Sequence, residues 1–115
     1  MVVDYPSEQE IDRIFGALAD ATRRDILVQS MSTAHSVSAL ARRYEMSFAA
    51  VQKHVAVLER ARLVTKQRRG REQLVESNGA TLRRAAALLD SYEQLWAHRA
   101  TQIAGLLTDE EGEPR

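Results

Sequence analysis

Side chains suited to hydrogen-bonding a polyanion gather in two short stretches of this 115-residue chain. The first is Ser47-Phe48-Ala49-Ala50-Val51-Gln52-Lys53-His54. Gln52 offers the paired donor and acceptor that match an adenine edge, and Lys53 suits guanine or a phosphate. Phe48 and Ala49 are apolar enough to touch a thymine methyl. The second stretch sets Lys66, Arg68, Arg69 and Arg71 around Gly70, with Arg60 and Arg62 ahead of it. Such a cluster fits a phosphate backbone or a narrow minor groove. Charges on a hairpin also guard exposed strand edges against aggregation, which is the plainer reading. Charge along the whole chain leaves the same choice. There are 16 Lys+Arg and 16 Asp+Glu, yet residues 21–72 hold eleven basic side chains against four acidic ones, and acidic residues crowd both ends. A basic middle marks either a polyanion-binding face or an ordinary solvated surface.

Other chemistries find little support. The chain has no Cys, so disulfides and thiolate metal ligands are excluded. Its three histidines are scattered. His35 falls in a loop where it can cap a helix end, His54 packs or touches phosphate, and His98 is an interface or surface residue. Zinc takes about four ligands, more than Asp90, Glu93 and His98 of the last helix supply. There is no Ser-His-Asp set, nucleophilic Cys or glycine-rich phosphate loop, so the expectation is no enzyme and no cofactor. No leader-like segment is seen, and no run nears the roughly 18 apolar residues of a membrane helix. A cytoplasmic protein with no membrane partner is expected.

The elements that must position these residues are legible as periodicities. Residues 1–6 read as a loose arm. Ser7 and Glu10 make a capping box, and Ile11, Ile14, Phe15 and Leu18 recur at helical spacing, which predicts a helix over 8–19. Asp20 caps a second helix with Ile26, Leu27 and Met31 inward. A break follows, with Val37 as a short strand. Ser38 caps a helix over 39–45 that sets Leu40, Ala41 and Tyr44 on one side. Ser47 caps the next, over 48–61, whose inner stripe is Val51, Val55 and Leu58. Two helices joined by so short a turn form a helix-turn-helix. Residues 63–68 and 71–76 are β-compatible with Arg69-Gly70 as the turn, so a hairpin wing spans 63–76. Asn78 and Gly79 break the chain again. From 80 to 107 runs one long helix in which Leu82, Ala85, Leu89, Tyr92, Trp96, Arg99, Ile103 and Leu106 recur every three to four residues. That stripe outruns what so small a domain can bury, so part of it is expected to face another copy. Tyr92 and Trp96, one turn apart, either pack that interface or line a small-ligand site. The fold class is mainly α with a small β-hairpin wing. About five helices form one domain over 1–107, ending in a long C-terminal dimerisation helix, and 108–115 is an acidic disordered tail.

The ordered run of motifs resembles one family. Ile14-Phe15-Gly16-Ala17-Leu18-Ala19-Asp20-Ala21-Thr22-Arg23-Arg24-Asp25-Ile26-Leu27 looks like the opening signature of arsenic-repressor-type (ArsR) winged-helix proteins. Ser38-Ala39-Leu40-Ala41, Met46-Ser47 and Val51-Gln52-Lys53-His54-Val55-Ala56-Val57-Leu58 resemble its helix-turn-helix. Ala61-Arg62-Leu63-Val64 and Arg69-Gly70-Arg71 are similar to its wing. The resemblance implies a homodimer held by the first and last helices, here through Ile11, Ile14, Phe15, Leu89, Tyr92, Trp96 and Ile103. It implies repression at a two-fold operator, with recognition helices about 34–36 Å apart. The family often has Pro at Ala21, Ser at Gln52 and Tyr near Leu74 and Val75. Gln52 at a base-reading position implies an operator unlike a typical one. The metal ligands of many relatives are missing, and the Trp in the last helix resembles a cysteine-free branch.

The expected function is therefore a homodimeric, sequence-specific repressor of double-stranded DNA. Its contacts are expected from Ser47, Phe48, Ala49, Gln52, Lys53 and His54 in the major groove and from Lys66, Arg68, Arg69 and Arg71 on the backbone or minor groove. Two alternatives stand beside it: a repressor answering an unknown small molecule or a metal, and a winged-helix module that binds another protein.

Overall fold

This computed structural model describes residues 6–110, with side chains as far as Leu107. Most of the loose arm expected over 1–6 lies outside those residues; Pro6 is described and is buried. Helix α1 (Glu8–Leu18) opens on the expected box: the Glu10 N–H donates to Ser7 Oγ and the Ser7 N–H to Glu10 Oε1, each at 3.2 Å. Its C-terminal carbonyls are satisfied from the next helix, α2 (Ala21–Ser32). Arg23 donates to Ala17 O at 2.8 Å and Gly16 O at 3.2 Å, and Arg24 to Leu18 O at 2.8 Å. Asp20 caps α2 through the Arg23 N–H at 3.0 Å. That bond is the main reason its carboxyl sits below the usual carboxylate range. Ile26 and Leu27 are buried as expected, whereas Met31 is exposed and Ser30 takes the inward place, its hydroxyl donating to Leu27 O.

The short strand lies two residues earlier than expected. β1 is His35–Ser36, and Val37 opens α3 (Val37–Tyr44). Ser36, not Ser38, is the cap, accepting from the Ala39 N–H at 3.0 Å. A start at Val37 puts Val37 and Leu40, both 1% exposed, on one inward face. Helix α4 (Phe48–Arg60) follows its Ser47 cap. Both helices stop without glycine. Glu45 after α3 has φ 54° and Arg62 after α4 has φ 62°. In each case the next N–H reaches back over the last turn, Met46 to Ala41 O at 3.2 Å and Leu63 to Leu58 O at 3.0 Å, as in helix stops that favour Gly.

The wing is β2 (Val64–Arg69) and β3 (Glu72–Ser77). Arg69 pairs with Glu72, so the loop is Gly70-Arg71 rather than Arg69-Gly70. Gly70, with φ 61°, takes the first loop position, where its missing Cβ removes the cost of positive φ. β1 pairs with β3 through His35–Val75 and Ser36–Leu74, giving an antiparallel sheet of order β1-β3-β2. The core lies where α1 to α4 meet this sheet: Ile14, Ile26, Leu40, Val51, Val55, Leu58, Leu63, Val64 and Val75 are at most 1% exposed.

Helix α5 spans Gly79–Glu110. Asn78 accepts from the Ala80 N–H at its start, and Arg84 ties it to α1 through Glu10 at 2.8 Å. Leu82 and Ala85 join the core. The helix runs through 108–110, into the stretch expected as tail, because neither Gly nor Pro follows Gly105 before residue 112. The rest of the expected tail, 111–115, lies outside the described residues.

Candidate nucleic-acid interface

Ser47 sits in extended geometry (φ −67°, ψ 155°) and its Oγ accepts from the Ala50 N–H at 3.1 Å. This fixes the first turn of α4 and leaves its remaining N–H groups and dipole facing outward, where an anion is favoured. The rotation of α4 follows from its core face. Val51, Val55 and Leu58 are fully buried. At about 100° per residue, Ala49 and Lys53 then point away from the core, with Phe48 and Gln52 on one flank. Ala49 and Lys53 are exposed and Phe48 is 50% exposed.

The wing stands beside that flank. Gln52 Nε2 donates to Gln73 Oε1 at 3.3 Å, joining helix to hairpin. Gln73 lies opposite Arg68 in the hairpin register. An open cleft of about 200 Å³ runs between them, lined by Ser38, Phe48, Gln52, Arg68, Arg71 and Gln73 among others. Arg68 Nε donates to Gly70 O at 3.3 Å, and Arg69 and Arg71 are exposed at the tip. Eight of the ten expected contact residues line this cleft or stand exposed on the elements that form it: Phe48, Gln52, Arg68 and Arg71 line it, Ser47, Ala49 and Lys53 are exposed at the α4 start, and Arg69 is exposed at the wing tip.

Two do not. Lys66 is half-buried, its Nζ 3.5 Å from Glu59 Oε1, so it is turned toward α4 of its own protomer. His54 falls on the other flank of α4, about 200° round from Gln52, with Nδ1 3.4 Å from Arg23 Nη1. It packs at the α1–α2 junction. Gln73 and Ser38 also line the cleft, though neither is among the ten residues expected from sequence. The signal for Gln73 is a count back from a two-residue loop, which places it opposite Arg68.

The residues expected between copies divide similarly. Ile14 is 1% exposed and belongs to the protomer's own core, because α1 turns it inward with Ala17. Ile11 and Phe15 are half-buried. Leu89, Tyr92, Trp96 and Ile103 are exposed, together with Leu95, Leu106 and Leu107. Among the described residues no three His, Asp or Glu side chains come close enough to hold a metal ion. None of the described helices is long and apolar enough to cross a membrane.

Comparison with known proteins agrees with this architecture. No protein-family model matches the chain. It is 35% identical over 102 residues to the HTH-type transcriptional regulator Rv2034 of Mycobacterium tuberculosis, covering 89% of this chain and 92% of that protein. An ArsR-like transcriptional regulator from Rhodococcus sp. RHA1 superposes with a TM-score of 0.76 at 33% identity, over 85% of this chain and 92% of that one. The homodimeric winged helix-turn-helix DNA-binding domain Mb0332 of Mycobacterium bovis shares the fold, with a TM-score of 0.62 at 20% identity over 80% of this chain and 92% of that one. With five helices among its described residues, a winged helix-turn-helix and no cysteine, the chain belongs to the ArsR-like family of helix-turn-helix transcriptional regulators.

Proposed function

We propose that this protein is a homodimeric, sequence-specific transcriptional repressor that reads a two-fold symmetric operator. The observation that carries the reading is the shared surface of α4 and the wing: Phe48, Ala49, Gln52 and Lys53 stand beside Arg68, Arg69 and Arg71. The α4 start enters the major groove, where each base pair presents a distinct pattern. The wing-tip arginines take the adjacent backbone or minor groove. The exposed apolar face of α5, from Leu89 to Leu107, pairs with a second copy together with Ile11 and Phe15, so that two recognition helices meet successive turns of the duplex. Such a contiguous apolar face on a charged protein favours association over solvation.

The test is binding to a fluorescent duplex from upstream of the protein's own gene, beside a scrambled duplex, at two salt concentrations. Tighter binding to the native duplex, weakening steeply with salt, is expected. Equal binding to both would remove sequence specificity from that duplex. No binding at low salt would favour a winged-helix module that binds another protein.

A further inference from the structure

Two openings meet between α1 and α4, at the C-terminal end of α4 and so away from its DNA-reading start. The wider, about 440 Å³, is lined by Asp12, Arg13, Gly16, Ala17, Val57 and Arg60. The narrower, about 220 Å³, is lined by Glu10, Arg13, Arg60, Ala61 and Arg62. Arg13 and Arg60 border both, so the two form one groove with an apolar stretch and a basic end.

The guanidiniums there are unpaired. Among the described residues, none of the Arg13, Arg60 and Arg62 guanidiniums makes an ion pair or hydrogen bond. Glu10 is already held by Arg84 and by the Ser7 N–H, which leaves Asp12, in the lining of the wider opening, as the one uncommitted carboxylate against three guanidiniums.

Two residues on this groove also work against stability. Gly16 stands inside α1, where glycine is less favourable than alanine. A Cβ there would meet nothing within 4 Å, so the protein's own packing does not demand it; its bare backbone deepens the groove. Arg62 holds φ 62°, in a helix stop where glycine is unstrained. Sparsely populated backbone geometry that persists is a pointer to function, and here it coincides with an unpaired guanidinium. Arg13 lies about 200° round α1 from both Ile11 and Phe15, so pairing of copies through those residues leaves the groove open.

We infer that this groove binds a small amphipathic organic anion. Its carboxylate or phosphate head lies among Arg13, Arg60 and Arg62, and its short apolar tail lies over Gly16, Ala17 and Val57. Guanidinium forks suit such oxyanions, and the volume is within the range of small-molecule sites. The ligand bridges α1, which carries Ile11 and Phe15, to α4, which carries Gln52, and is thereby placed to couple occupancy to DNA reading.

Amide NMR titration of the intact protein tests this with two probes, sodium octanoate and inorganic phosphate, at matched ionic strength. Octanoate is expected to give saturable shifts clustered on residues 12–17 and 57–62, with phosphate binding at least about tenfold more weakly for want of a tail. The double variant Arg13→Ala/Arg60→Ala should lose about tenfold or more in octanoate affinity. Gly16→Leu should abolish octanoate binding while the fingerprint elsewhere reports an intact fold. Octanoate shifts confined to residues 89–107, equal affinity for phosphate, unaltered binding by Gly16→Leu, or no saturation would each overturn the inference. The titration uses no DNA, so its outcome is independent of whether an operator is found.

Discussion

The Tyr44 hydroxyl donates to Asp25 across the α2–α3 contact, and Arg43 reaches the same carboxylate at 3.4 Å. Burial, reinforced by that bond, pushes Tyr44 up to about 12. The bond from Tyr44 is the foremost cause holding Asp25 below its ordinary value. The signs follow from linkage. Tyr44 binds its proton more tightly when folded, so its contribution is complete below pH 10 and is lost between 10 and about 12. Asp25 contributes above its ordinary carboxylate value and loses that contribution as pH falls toward its lower folded one. Tyr44→Phe should therefore cost about 1 kcal/mol at neutral pH and flatten the alkaline limb of stability, measured by urea unfolding across pH. Glu45→Gly should do the reverse at neutral pH. Relieving a left-handed glutamate at φ 54° should stabilise by about 1 kcal/mol, seen as a rise of several degrees in Tm. At the DNA surface, Gln52→Ala should cost about 1–3 kcal/mol against one base position and relax preference there. An operator-variant panel that ranks parent and variant alike would take Gln52 out of the groove.

At the scale of elements, the wing and α4 are tied by the Gln52–Gln73 hydrogen bond and the Lys66–Glu59 ion pair. Arg69→Ala and Arg71→Ala should each weaken binding across all sequences and lower the salt slope by roughly one for every phosphate no longer neutralised, read from fluorescence anisotropy at several salt concentrations. How far such elements are legible in the sequence depends on whether their cause is local. Ser7 with Glu10, Asp20, Ser47 and the 51/55/58 stripe are local signals, and the helices they mark stand within a residue of expectation. Ser36 displaces Ser38 because burial of Val37 decides between two similar caps. β1 at 35–36 is not legible because its partner, β3, lies some forty residues on, and a two-residue strand carries no periodicity of its own. The helix stops at Glu45 and Arg62 carry no glycine to announce them. Lys66 and His54 look free in the sequence because the groups that hold them, Glu59 and Arg23, belong to other elements.

The molecule as a whole measures 73 × 35 × 24 Å with a radius of gyration of 20.5 Å, against about 13 Å for a compact chain of this length. The difference is α5, whose 32 residues extend about 48 Å and leave the core after Ala85. Trp96, 67% exposed in the protomer, is the expected anchor between copies. Trp96→Ala should weaken the dimer by about 2 kcal/mol, roughly thirtyfold, in sedimentation equilibrium. Unchanged assembly would place Trp96 outside the interface. On the proposed reading, with the apolar arm separate from the α4 and wing surface, pairing and operator binding would be sequential equilibria sharing one subunit. In dilute protein, below the dissociation constant of the pair and with the operator far from saturated, occupancy would then rise with the square of subunit concentration, so halving the number of copies in a cell would cut occupancy about fourfold, and the apolar area that α5 offers would set the concentration below which this steep range begins.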